Sequence, residues 1–286
     1  MYQLKNKFLS VDVVDPINDL ALLGSRYCTG GYIYQIYNQD GKALLSGPSY
    51  PQVPDTFDGQ GAPETFVKAL EVSDNKSGDK LAVIGVGTVV RSIDDHPFDP
   101  RFNRQVIEWL DWEVSQTENS ISMTSQHSFQ DWAYAITCEV SLEGNTIHSK
   151  TSVTSLGNDP LPIQWFPHPF FPVPSTQQLF TSSVDLTGEI THPYSLDESG
   201  FINRHSDFDW KAGAYLALDF DNKGKSGTEN YQKHDLSKDI QVKTDYSPSF
   251  YPIWGNDKCF SFEPYFEAQL TANQSANWQV SYSIAN

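Results

Sequence analysis

Two short segments carry residue types suited to moving protons. In the stretch from Gln164 to Pro172 a single histidine, His168, stands among Trp165, Phe166, Phe170 and Phe171, with three prolines interleaved. Proline fixes φ and removes a ladder donor, so the stretch reads as a rigid aromatic turn rather than an ordinary central strand. An imidazole aimed from such a turn is a general acid, and the aromatic faces around it suit stacking on the apolar side of a sugar ring. The plainer reading is a histidine hydrogen-bonded at a strand end. The second segment, from Cys259 to Phe266, places Glu263 inside an aromatic strand. A carboxylate there is costly unless it is paired or faces a cleft. Burial would lift its pKa toward a value useful to a general base. Glu267 reads as a surface acid.

Other polar residues have two readings each. The guanidinium forks of Arg26 and Arg91 suit bidentate binding of sugar hydroxyls or phosphate, or equally pairing with surface acids. Asp207 and Asp209, in the run from His205 to Trp210, either orient sugar hydroxyls or lie in a solvated loop. The three cysteines, Cys28, Cys138 and Cys259, are odd in number and far apart, which suits buried free thiols rather than a zinc or redox pair. No P-loop, dinucleotide fingerprint or clustered metal motif occurs, so neither a metal nor a cofactor is expected.

The elements that must hold these groups read as strands. The run Tyr134, Ile136, Cys138, Val140, Leu142 is apolar at every second residue, turns at Glu143, Gly144 and Asn145, and resumes at Ile147, Thr151 and Val153, as in a β-hairpin. Trp278, Val280, Tyr282 and Ile284 repeat the alternation, and the run from Gly31 to Tyr37 ends at an Asp40-Gly41 turn. One short helix is expected over Glu64 to Leu70, and the polar stretches 74–80 and 221–238 read as long surface loops. With an aromatic content of 13% and a mean hydropathy of −0.45, the chain is expected to be an all-β protein forming one domain over residues 1–286. No apolar run reaches membrane-spanning length and the first ten residues are polar, so a soluble, cytoplasmic protein is expected. The net charge of −17 disfavours nucleic acid and anionic membranes as partners and suits a neutral small molecule. No pattern specifies an oligomeric state.

The two segments together resemble the aldose 1-epimerase, or galactose mutarotase-like, superfamily, in which a histidine in a Trp-x-x-His-x-Phe/Tyr-Phe context protonates the ring oxygen. Trp165, His168, Phe170 and Phe171 match that context. Glu263 matches the late glutamate that takes the anomeric hydroxyl proton in that superfamily. The first half resembles one branch of it through Ser25-Arg26-Tyr27-Cys28-Thr29-Gly30-Gly31, Gly85-Val86-Gly87 and Asp94-Asp95-His96-Pro97-Phe98, and more loosely through Gly61 to Phe66. The His-Gly-Gly motif of well-known galactose mutarotases is missing, which leaves His96 as the candidate for that second imidazole, and no residue is assigned to the family's aspartate.

The resemblance implies the large two-sheet antiparallel β-sandwich, or supersandwich, of the mutarotases and an aldose 1-epimerase activity, with Glu263 as base and His168 as acid on opposite sides of the ring. Arg26, Arg91, His96, Trp165 and Asp209 would bind substrate. Two alternatives stand beside it: a hexose-6-phosphate 1-epimerase gripping phosphate with Arg26, Arg91, Arg101 and Arg104, and a non-catalytic carbohydrate-binding protein on the same fold.

Overall fold

In the strand Trp132–Glu143 the alternating residues Tyr134, Ile136, Cys138, Val140 and Leu142 are all buried. Its partner Thr146–Ser155 lies antiparallel in the register Leu142↔Ile147 and Cys138↔Thr151, with Gly144 and Asn145 at the turn, which is the hairpin expected from the alternation. The computed structural model describes residues 1–71, 76–94, 98–221, 226–236 and 239–285.

This hairpin belongs to a ten-stranded sheet. From one edge to the other it runs Tyr194–Leu196, Ile202–Arg204, Gln178–Ser182, Glu229–Lys233, Asp239–Thr244, Ser275–Ile284, Thr146–Ser155, Trp132–Glu143, Ser120–Phe129 and Glu113–Gln116. The layer packed against it is divided into smaller antiparallel sheets rather than one second sheet. Two of them carry the candidate site: Phe266–Leu270, Leu161–Pro167, Glu64–Phe66, and Phe171–Pro172, Cys259–Phe262, Pro252–Gly255, Ala214–Ala217. Aromatic side chains join the layers. The Trp165 and Trp278 ring centroids lie 5.3 Å apart, and Phe180 stacks on Phe260 at 6.3 Å. One hydrophobic cluster runs from Leu4 to Ile284. The fold is an all-β sandwich, and among the described residues no helix is long and apolar enough to cross a membrane.

Three expectations are corrected. Glu64 to Leu70 is not a helix but the strands Glu64–Phe66 and Ala69–Leu70. The pairs Pro167↔Glu64 and Trp165↔Phe66 capture the first of these, and the Glu64 carboxyl turns inward to accept hydrogen bonds from Ser149 Oγ at 2.5 Å and Thr151 Oγ1 at 3.0 Å. Tertiary pairing thus overrides a weak local preference. Within 221–238 the strand Glu229–Lys233 runs in the middle of the large sheet, its inward residues being Asn230 and Gln232, both fully buried. Polar inward positions hide the alternation that marks a strand. Leu161–Pro167 is itself a central strand despite two prolines. Pairing to Glu64–Phe66 begins only at Trp165, so Pro162 faces one neighbour, and Pro167 ends the strand, where a missing N–H costs little.

Trp165 is fully buried, against Trp278 and Tyr246. Trp165→Ala is therefore expected to destabilise the fold by about 3–5 kcal/mol. The check is a urea transition shifted to lower midpoint with unchanged slope.

Candidate active site

Strand ends and backbone hydrogen bonds aim His168 and Glu263 at each other. His168 follows the last residue of Leu161–Pro167, where its N–H donates to Pro63 O at 2.8 Å, and two residues later Phe170 N donates to Gly61 O at 2.7 Å. Gly61 has φ +82°, and a Cβ there would lie 2.4 Å from both Ile33 O and Tyr34 O, so this support demands glycine. Glu263 follows directly on Cys259–Phe262, with its N–H donating to Pro252 O at 2.9 Å. These anchors leave His168 Nε2 3.3 Å from Glu263 Oε1, with the residues 2% and 5% exposed.

Both groups line a cavity of about 500 Å³, within the roughly 300–1,000 Å³ usual for small-molecule sites. Its walls are aromatic. Phe166 stacks on Tyr265 with centroids 4.5 Å apart, Phe170 lies 4.4 Å from the His168 ring, and Trp254 stands edge-on to both His168 and Phe170. Flat apolar faces closing on two polar groups suit a ring that is apolar on its faces and polar at its edge.

Burial pushes the two groups in opposite directions. Desolvation lifts the Glu263 carboxyl to about 8, against an opposing pull from the Arg26 guanidinium. Desolvation, reinforced by Arg26, holds the His168 imidazole well below its ordinary value. Near neutral pH the pair therefore holds one proton, on Glu263, and can pass it across 3.3 Å to His168 without changing the charge of the pocket. Such a pair can accept a proton from one oxygen and return one to another.

The structure sorts the remaining candidates by position. Arg26 lines the cavity, its guanidinium donating to Phe57 O at 2.9 Å and lying 4.4 Å from the centre of the Phe57 ring. Arg91 does not line it: the side chain is fully buried and paired with Glu71. Trp165 faces the core rather than the cavity, because successive residues of a strand point to opposite sides and Phe166 takes the cavity face. Asp209 is exposed away from the cavity, where it accepts a hydrogen bond from Lys211 N at 3.2 Å at the start of the short 3-10 turn Trp210–Ala212. His96 lies outside the described residues. Of the other two arginines, Arg101 reaches the rim, held by Asp99, while Arg104 pairs with Asp55 at 3.1 Å. Glu263 and His168 are in direct contact rather than on opposite sides of a ring-sized gap.

Several wall residues had no sequence signal. Tyr215 and Trp254 face each other across the pairing Tyr215↔Trp254, and Phe57 and Asp58 come from a loop distant in sequence. Tyr265 alone was near a recognised group, two residues from Glu263.

No protein-family model matches the chain, and no curated protein is significantly similar to it. Solved structures do match in shape. A galactose mutarotase-related enzyme from Lactobacillus acidophilus superposes with a TM-score of 0.63 at 14% identity, covering 100% of this chain and 97% of the other. A protein of Escherichia coli K12 provisionally described as an aldose 1-epimerase gives 0.64 at 16% identity over 99% and 98%. A galactose mutarotase-like protein from Lactobacillus casei gives 0.57 at 12% identity over 99% of both chains. Likeness at this identity speaks to architecture, and the chain accordingly has the fold of the galactose mutarotase-like superfamily.

Proposed function

We infer that the protein is an aldose 1-epimerase, interconverting the anomers of a free sugar by opening and closing its ring. The observation that carries this reading is the 3.3 Å contact between His168 Nε2 and Glu263 Oε1 at the wall of an aromatic cavity. The anomeric hydroxyl oxygen and the ring oxygen are bonded to the same carbon, so a base for one and an acid for the other must stand side by side. Once the shared proton has passed from Glu263 to His168, the Glu263 carboxylate takes the C1 hydroxyl proton while the His168 imidazolium protonates the ring oxygen, and the bond from C1 to the ring oxygen breaks. Rotation about the first carbon–carbon bond and reclosure, with the proton movements reversed, give the other anomer. The aromatic walls hold the ring by stacking, and the Arg26 guanidinium is placed to meet hydroxyls at its edge.

The test is polarimetry of freshly dissolved α-glucose and α-galactose. The purified protein is expected to speed the approach to equilibrium well above the buffer rate. Saturable binding without acceleration would instead identify a carbohydrate-binding protein on this fold. Arg26 and Arg101 at one cavity favour a second reading, a hexose 6-phosphate substrate. A kcat/KM for glucose 6-phosphate far above that for glucose would select it.

The proton count of the pair sets a pH signature. The working state holds one proton, which Glu263 keeps up to about pH 8. Above that pH the proton is lost and His168 has none to give, so kcat/KM should fall by about tenfold per unit. A decline beginning near 6.5, the ordinary histidine value, would mean that the pair does not share its proton in this way.

A further inference from the structure

A second group of chemistry-bearing side chains lies away from this cavity, at the edge of the ten-stranded sheet. His192 stands two residues before the edge strand Tyr194–Leu196, and His205 directly follows its partner Ile202–Arg204. The pair Tyr194↔Arg204 closes the hairpin there, and His205 N donates to Pro193 O at 2.9 Å, which carries the pairing to the two histidines. Asp207 follows in the next turn. The chain is pinned on both sides of it by Trp210 Nε1 donating to His205 O at 2.7 Å and by Phe208 packing edge-on to Trp210 at 5.0 Å.

The outcome is two imidazoles and a carboxylate with ligand atoms all within 4.8 Å of one another, the one such group among the described residues. His192 Nε2 is 3.4 Å from Asp207 Oδ1, and His205 Nδ1 is 4.0 Å from the same oxygen. With zinc–ligand bonds of about 2.0–2.2 Å, neighbouring ligands of a tetrahedral ion stand roughly 3.3–3.5 Å apart. The His192–Asp207 edge already has that length, the His205–Asp207 edge needs closing by about half an ångström, and the two imidazole nitrogens, up to 4.8 Å apart, by about 1.3 Å, within the swing of exposed side chains. His192 and Asp207 are exposed and His205 half-buried, so an ion can enter from solvent. The neighbouring Arg204 is engaged elsewhere: its guanidinium lies over the Trp210 ring at 4.1 Å and donates to Asn256 O at 2.7 Å.

We propose that His192, His205 and Asp207 bind a divalent transition-metal ion of the zinc class, tying the mouth of the edge hairpin to the turn that follows it. Two nitrogen donors and one oxygen donor select zinc, cobalt or nickel over calcium and magnesium, which take oxygen ligands. Three protein ligands leave the fourth position to water. The site is separate from the anomer chemistry, and its test does not depend on activity.

The experiment is titration of the tag-free full-length protein with Zn²⁺ by calorimetry and with Co²⁺ by its visible absorption. His192→Ala, His205→Ala and Asp207→Asn are run beside the native protein, and His148→Ala serves as a histidine control outside the cluster. One equivalent should bind to the native protein and to the control, with affinity lower by at least about tenfold in each of the three variants. Native affinity in any of those three, or no saturable binding by the native protein, would overturn the proposal. The three cluster side chains are exposed or half-buried, so the three variants should melt close to the native protein when measured in chelator. Added Zn²⁺ should then raise the melting temperature of the native protein by more than that of any of the three variants.

Discussion

Glu263→Gln should lower kcat/KM for anomer interconversion by about 10²- to 10⁴-fold while leaving sugar binding largely in place. Glutamine keeps the shape of the side chain and a hydrogen-bonding tip opposite His168, but it can neither take nor release the proton that the reaction moves. The polarimetric rate and the dissociation constant, measured on the same preparation, check the two halves of this statement. A variant that still turns over at the native rate would remove Glu263 from the mechanism.

The same substitution has a signature in stability that a purely structural role would not give. A carboxyl whose folded pKa is about 8, above an unfolded value of 4.5, is protonated in the fold where the unfolded chain has already ionised. Its contribution is fully present below pH 4.5 and is lost as pH rises through the window to about 8, with a slope of at most about 1.4 kcal/mol per pH unit. Glu263→Gln abolishes this slope. Urea unfolding at pH 5 and pH 8.5 should therefore show the variant gaining on the native protein as pH rises, and parallel curves would mean that Glu263 is not held protonated by its burial.

The two central groups were legible because each announces itself within a few residues. A histidine between prolines and aromatics, and a glutamate within Phe262-Glu263-Pro264, are local anomalies in otherwise apolar runs. The long alternating strands were legible for a similar reason, since period-two burial is written along the chain. What surrounds the pair was not. Trp165 and Phe166 are adjacent and both aromatic, and only the phase of the strand decides that Phe166 lines the cavity while Trp165 enters the core. Arg26 and Arg91 look alike in sequence, but one lies on the cavity wall and the other is buried against Glu71. Tyr215 and Trp254 meet through a strand pairing and Phe57 reaches the site from a loop distant in sequence, which no local pattern encodes. The strand Glu229–Lys233 escaped notice because Asn230 and Gln232 face inward, Asn230 Oδ1 accepting from Tyr251 Oη at 2.6 Å. Which polar side chains a strand buries, and what distant partner such as Tyr251 they meet, is set by tertiary structure, not by hydropathy.

His168→Gln should also cost at least about 10²-fold in kcat/KM. Glutamine can still place an N–H near the position of Nε2 and donate to Glu263, so the loss would report proton transfer to the ring oxygen rather than a missing hydrogen bond. The more searching variant is the double one. If Glu263 and His168 share a single proton across their 3.3 Å contact, removing either group disables both. His168→Gln combined with Glu263→Gln should then fall little below the worse single variant, because residues that act as a unit are not additive. Two independent groups would instead multiply their losses. Rates in the double variant near the product of the two single effects would assign Glu263 and His168 to separate steps, and the exchange of one proton between them would have to be abandoned.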